Sequence, residues 1–185
     1  MGRSVAYSVA TSCSRWRPSI SWQGNMIFLT VGTQLGFDRL IRAVDEWASK
    51  NSSYTIFAQI GNGNYHPINM KWERFLSPSK FDEIFRNSKL IISHAGMGTI
   101  LNALVHEKPI VVLPRLYKYQ EHRNDHQLAT AKRLRNLNGV YFASSTSELQ
   151  SQLSDIDKLK CGIVNDAASF VLARKICEFL ETDNT

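Results

Sequence analysis

Long apolar runs are missing from this sequence. No stretch approaches the ~20 consecutive apolar residues that a membrane-spanning helix needs, so no part of the chain is expected to cross a bilayer. Cysteine is scarce as well. Cys13, Cys161 and Cys177 are odd in number, scattered, and form no CxxC pair, which suits free thiols in a reducing compartment. That pattern argues against both a disulfide framework and a zinc site. Acidic residues are absent from the first 25 positions, which hold Arg3, Arg15 and Arg17. Half of the formal net charge of +6 therefore sits in this leader. The rest of the chain has no lysine-arginine run with interleaved aromatics, so nucleic-acid binding is disfavoured. The leader is Ser- and Arg-rich and lacks the apolar centre of a secretory signal. Met26 stands directly before the first strand, and residues 1–25 are expected to lie outside the fold, with the domain running over 26–185.

What remains is an ordinary globular composition, 43% hydrophobic and 21% charged over 185 residues, enough for one α/β domain. Strand and helix patterns alternate from Met26 onward. Apolar runs at Met26–Val31, Tyr54–Ile60, Lys89–Ser93 and Pro109–Leu113 read as buried parallel strands, with Trp72–Leu76 and Val140–Phe142 as shorter ones. Phe37, Leu40, Ile41, Val44 and Trp47 recur at helical spacing, a helix begins at Pro78, and others follow the glycine turn at 96–98 and the polar stretch near Asn124. The remainder reads as helical, with Phe170, Val171, Ile176, Phe179 and Leu180 packing back on the sheet. The expected fold is a Rossmann-like, mostly parallel sheet with helices on both faces. Such sheets bind ligands at the carboxyl ends of their strands, which singles out the loops Gly32–Gly36, His94–Thr99 and Pro114–Asn124.

Each of these loops carries chemistry. Ser93-His-Ala-Gly-Met-Gly-Thr99 places two glycines at a strand-to-helix turn. There the backbone can approach a ligand, and unpaired amides at the positive helix end suit a diphosphate. A plain connecting turn has the same look, and the GxGxxG dinucleotide fingerprint is not completed, because residue 101 is Leu. Gly32, Thr33 and Gln34 offer a hydroxyl and an amide after the first strand. In the third loop, Glu121 and Gln127 can hydrogen-bond sugar hydroxyls, Arg115 can reach a phosphate, and Asn124 or Asp125 can cap the following helix. His122 and His126 share a helix face, yet no Cys or clear third ligand stands near them, so no metal site is expected. Asp155-Ile-Asp157 resembles a metal-binding aspartate pair but falls outside the three loops and reads as a solvated helix end.

In order, Met26-Ile-Phe-Leu-Thr-Val-Gly-Thr-Gln34 with Phe37–Ile41, Ser93–Thr99, Lys108-Pro-Ile-Val-Val-Leu-Pro114 and Glu121-His-Arg-Asn-Asp-His-Gln127 resemble the family-28 glycosyltransferase carboxyl-terminal domain. The likeness is nearest to small bacterial exopolysaccharide subunits and more distant to the catalytic subunit of the eukaryotic dolichol-linked N-acetylglucosaminyl transferase. The resemblance implies the donor-binding half of a GT-B enzyme. A UDP-sugar would be the donor, a lipid-linked saccharide the acceptor, and a separate membrane-anchored subunit would bind that acceptor and recruit this chain to the cytoplasmic membrane face. It implies inverting transfer with no metal or other cofactor. Position by position, His94, Ala95, Gly96, Met97, Gly98 and Thr99 would contact the diphosphate. Gly32, Thr33 and Gln34 would line the cleft, and Asn124, Asp125 and Gln127 would meet sugar hydroxyls. His94 is the local candidate for a catalytic role, with the general base expected on the partner. Asn102 stands where many relatives place a ribose-binding Glu, which loses a charge-assisted pair. Two other classes fit less well. A non-catalytic nucleotide-sugar-binding or regulatory module would bind without transfer. A dinucleotide-binding oxidoreductase would want an acid at the end of the second strand, where Gln59-Ile-Gly61 stands.

Overall fold

In the computed structural model, which describes residues 24–162, six strands form one all-parallel sheet in the order β3-β2-β1-β4-β5-β6. The strands are β1 (Met26–Thr30), β2 (Thr55–Gln59), β3 (Lys71–Glu73), β4 (Leu90–His94), β5 (Ile110–Leu113) and β6 (Val140–Phe142). Between and after them run α1 (Asp38–Ala48), α2 (Pro78–Asn87), α3 (Met97–Val105), α4 (His126–Leu134) and α5 (Thr146–Ser154). All six expected strands form, but β3 ends at Glu73 rather than running on to Leu76, and β4 extends to include His94. Residues 1–23 of the leader and the expected packing of Phe170, Val171, Ile176, Phe179 and Leu180 lie outside the described residues, while Asn25, expected outside the fold, accepts the Thr55 amide at 3.2 Å through its carbonyl. Among the described residues no helix is long and apolar enough to cross a membrane.

The continuous apolar character of β1 follows from coverage on both faces. All five of its residues are buried. Alternation sends Ile27 and Leu29 to one side, where they join Leu40, Ile41 and Val44 of α1 and Leu149 and Leu153 of α5. Met26 and Phe28 go to the other, against Ile84 and Phe85 of α2, Ile100 and Leu104 of α3, and Leu134 of α4. The helices start where local chemistry tells them to. Ser77 accepts the Lys80 amide and Pro78 opens α2, while the Ser145 hydroxyl accepts the Glu148 amide at α5. The order in which strands are added reverses between β1 and β4, and a crevice opens above that switch point. Asp155 and Asp157 sit at the end of α5, well exposed and paired with Lys158 and Lys89, as their sequence context suggested.

Candidate functional site

A cleft of about 390 Å³ occupies the switch point. The β1–α1 loop supplies Val31 to Leu35, the β4–α3 loop supplies His94 to Thr99, and Arg115, His122, His126, Gln127 and Thr130 close the third side. All three loops singled out in the sequence thus meet in one place. The start of α3 is the chemical centre of the cleft. Gly96 is its N-cap, with extended backbone (φ −85°, ψ 127°), no side chain caps it, and its first turn holds no acid. The amides of Met97, Gly98 and Thr99 have no acceptor within the helix. They face a cavity with the positive end of the helix dipole behind them, an arrangement that favours a multiply charged anion.

His94, the last residue of β4, sits between two glycines. A Cβ on Gly32 would lie 3.0 Å from its Cε1, and one on Gly96 would lie 2.3 Å from its Nε2. Gly32 also needs its freedom for φ 76°. Gly96 is therefore required first by a neighbouring imidazole rather than by the close approach of a ligand. Gly98 is the reverse case, since a Cβ there would meet nothing within 4 Å. A buried polar chain fixes the imidazole. Thr30 Oγ1 donates to Gln59 Oε1 (2.7 Å), and Ser93 Oγ donates to the Thr30 carbonyl (2.9 Å). Ser93 has thereby spent its proton, so at 3.2 Å the His94 Nδ1 must be the donor. Nε2 is left as the bare, accepting nitrogen. Burial, then the positive charge of Arg115, push the His94 pKa down to about 4, against a partial offset from the Thr30 carbonyl. The ring is neutral at physiological pH and a weak base.

The side chains expected to grip the ligand divide into two groups. Thr33 and Gln34 are exposed on the cleft wall, and His94 to Thr99 line it. Arg115 lines the cleft while its guanidinium is engaged by the protein. Its guanidinium is buried and donates to the carbonyls of Val31 (2.8 Å), Leu35 (2.7 Å), Gly36 (2.5 Å) and Glu121 (3.2 Å), with the Phe37 ring 4.7 Å away. Burial lowers its pKa to about 10, and Glu121 opposes the shift. Glu121 is likewise engaged within the protein. Its two carboxylate oxygens take Arg39 in a fork at 2.7 and 2.8 Å, and one also accepts the Leu116 amide (2.9 Å). These ions build the cleft wall from within.

Asn124 and Asp125 are turned to the loop itself. Asn124 Oδ1 accepts the His126 amide (3.3 Å) and His122 Nδ1 (3.0 Å), and Asp125 Oδ1 accepts the Tyr117 amide (2.9 Å). Of the two candidates for capping α4, Asn124 makes the contact with its first amide, and Asp125 makes no side-chain cap bond. Gln127 does line the cleft, but its Oε1 is committed to the amides of Ala95 (3.2 Å) and Arg115 (3.0 Å). It can offer only its NH₂ to a ligand. Asn102, one turn along α3, is half-buried and does not wall the cleft. His122 and His126 both line the cleft, a placement missed by weighing them only as a metal pair. Their position in the polar stretch at a helix start, after a strand tip, was the available signal. Among the described residues no group of three His, Cys, Asp or Glu side chains is placed to hold a metal ion.

A parallel sheet whose strand order reverses at a cleft walled by glycine turns and an uncapped helix start defines a Rossmann-like domain. Residues 26–175 match the model of the glycosyltransferase family 28 C-terminal domain, and the chain belongs to that family. It is 31% identical over 128 residues to the UDP-N-acetylglucosamine transferase subunit ALG13 of Homo sapiens, a match covering 64% of this chain and 11% of that protein. The chain thus spans about a tenth of that curated relative. Among solved structures, an NMR structure of ALG13 superposes with a TM-score of 0.55 at 22% identity, over 75% of this chain and 89% of that one. The glycosyltransferase of kitacinnamycin superposes with a TM-score of 0.57 at 18% identity, over 95% of this chain and 42% of that one. The fold is that of GT-B glycosyltransferases, and the chain corresponds to less than half of the latter enzyme.

Proposed function

We propose that this chain is the donor-binding, catalytic subunit of an inverting glycosyltransferase that moves a sugar from a UDP-sugar to a lipid-linked saccharide. The observation that carries this is the uncapped, acid-free start of α3 opening onto the cleft between two glycine turns. In such a transfer the acceptor oxygen attacks the anomeric carbon while the bond to the diphosphate breaks, and negative charge grows on the departing phosphate oxygen. Preorganised amides of Met97, Gly98 and Thr99, with the α3 dipole, stabilise that charge as it develops. The Gln127 NH₂ and the side chains of Thr33 and Gln34 orient the sugar. On this reading backbone dipoles, rather than a metal, carry the chemistry.

His94, at a pKa of about 4 with its bare nitrogen turned toward Gly96, is poorly matched to deprotonating an alcohol. The general base then belongs to a second, acceptor-binding subunit. The name of the human relative, a transferase subunit for UDP-N-acetylglucosamine, supports both the nucleotide and the division of labour. That partner is membrane-anchored and holds this chain at the cytoplasmic face, where the lipid-linked acceptor is within reach.

Calorimetric titration tests the donor assignment. UDP binds and a nicotinamide dinucleotide does not, and transfer of radiolabelled sugar appears only when the membrane partner is added, with or without EDTA. Absence of UDP binding removes the donor role. Efficient transfer by the chain alone removes the split enzyme, and binding without transfer in the presence of the partner leaves a non-catalytic module.

A further inference from the structure

Beside the cleft lies a second cavity, of about 520 Å³, whose chemistry is different. The β1–α1 loop is the shared wall, with Leu35 facing the cleft and Gly36 facing this second space. Its other walls are Asp38 and Arg39 of α1, the β2–β3 turn Asn62-Gly-Asn64, and the segment Tyr119-Gln-Glu121. The charges here are engaged with the protein itself. The Asp38 carboxylate accepts the Asn64 amide at 3.1 Å through both oxygens, and Arg39 and Glu121 hold each other in a fork. A phosphate finds no uncompensated cation and meets the Asp38 carboxylate instead, and among the described residues no group of His, Cys, Asp and Glu is placed to hold a metal ion.

What the cavity does offer is amide. The side chains of Asn62, Asn64 and Gln120 are exposed and make no hydrogen bond to another described residue. Each brings one acceptor and two donors, the complement of paired hydroxyls. They converge from two separate segments of the chain. Gln120 is presented from left-handed backbone (φ 58°, ψ 25°), a conformation unusual for a residue with a Cβ, and is held there by its amide donating to the Tyr117 carbonyl at 2.8 Å. Tyr119 stands next to it, about half exposed, with its ring braced by Arg39 at 5.0 Å.

We propose that this cavity is a subsite for a neutral saccharide, bound through Asn62, Asn64 and Gln120 next to the nucleotide cleft. On the donor-binding reading above, its occupant is a sugar of the acceptor, so this chain contributes to acceptor recognition instead of leaving it wholly to a partner. The sugar of the donor is the other possible source of the same chemistry.

Amide NMR on the isolated chain separates the sources: UDP-N-acetylglucosamine moves residues 62–64 and 119–121 no further than UDP does, and a larger movement would assign the subsite to the donor's sugar and overturn the acceptor assignment. UDP is titrated first, then N-acetylglucosamine and its β-linked dimer at millimolar concentration, with and without UDP. The free saccharides shift the amide signals of residues 62–64 and 119–121 while UDP shifts 94–99, and the two sets are additive. The N62A/N64A/Q120A variant weakens saccharide binding at least tenfold and leaves the UDP titration within twofold of the parent, with an unchanged circular dichroism spectrum. Q120N, which tolerates the left-handed backbone and retains the amide, keeps most of the saccharide affinity. Saccharide shifts confined to 94–99, shifts that survive the triple variant, or none at 50 mM while UDP still binds would each overturn the subsite. Failure of UDP to move 94–99 bears instead on the donor-binding reading.

Discussion

Lowering the pH across the range in which His94 should resist protonation gives a quantitative check on the site's electrostatics. The imidazole has a folded-state pKa of about 4, against 6.5 for an unperturbed histidine. Depression of a basic group means that the folded protein prefers the neutral ring, so its contribution is complete above pH 6.5 and is lost as pH falls from there toward 4. Between pH 7.5 and pH 5.0 the loss is about 2 kcal/mol, and it approaches about 3.4 kcal/mol once both states are protonated. Urea denaturation at closely spaced pH values measures it. The subtraction must be made against H94F, which keeps a ring between Gly32 and Gly96 but cannot titrate. That difference removes other groups, such as Glu148, whose carboxylate is held low by Ser144 and also loses stability in acid. The His94 ring carbon signal should move with a midpoint near pH 4 in the same samples. Equal slopes for the two proteins, or a midpoint near 6.5, would refute a buried imidazole facing Arg115.

Replacing Arg115 by Met leaves the carbonyls of Val31, Leu35, Gly36 and Glu121 without their common donor. Relief of guanidinium desolvation offsets part of the four lost bonds, for a net destabilisation of about 3–5 kcal/mol in urea unfolding; a change below 1 kcal/mol would mean that the clamp is not what holds these loops. Two glycine substitutions three ångströms of helix apart should separate fold from binding. G96A drives a methyl into His94 and lowers both the melting temperature and UDP affinity. G98A meets no protein atom and gains about 0.8–1 kcal/mol in helix propensity, yet weakens UDP binding because its methyl enters the cleft.

The sheet was legible because its strands are buried on both faces and therefore apolar throughout, as β1 and β5 are. Strand ends were less so. His94 is polar, yet it pairs with Leu113 and extends β4, since its ring is accommodated by Gly96 of its own turn and Gly32 of the β1–α1 turn. The three loops were legible because glycines and polar residues cluster at strand tips. The direction of each side chain was not. Arg115 and Glu121 have the composition of ligand-binding residues, but beside their local bonds each has partners 79 to 84 positions away, in the first loop and in α1, and such distances leave no local trace. Gln127 was legible as a cleft residue, while the commitment of its oxygen to two strand-end amides depends on how β4 and β5 terminate side by side.

The bare amino end of α3 also bears on handling the protein. Sulfate and inorganic phosphate are tetrahedral oxyanions of the size that a helix start accommodates, and an anion that occupies it at a hundred times its dissociation constant adds about 2.7 kcal/mol to the folded state. Buffers containing either salt will therefore raise the apparent melting temperature and compete with the nucleotide, whereas chloride buffered by an uncharged amine will show the domain at its own stability.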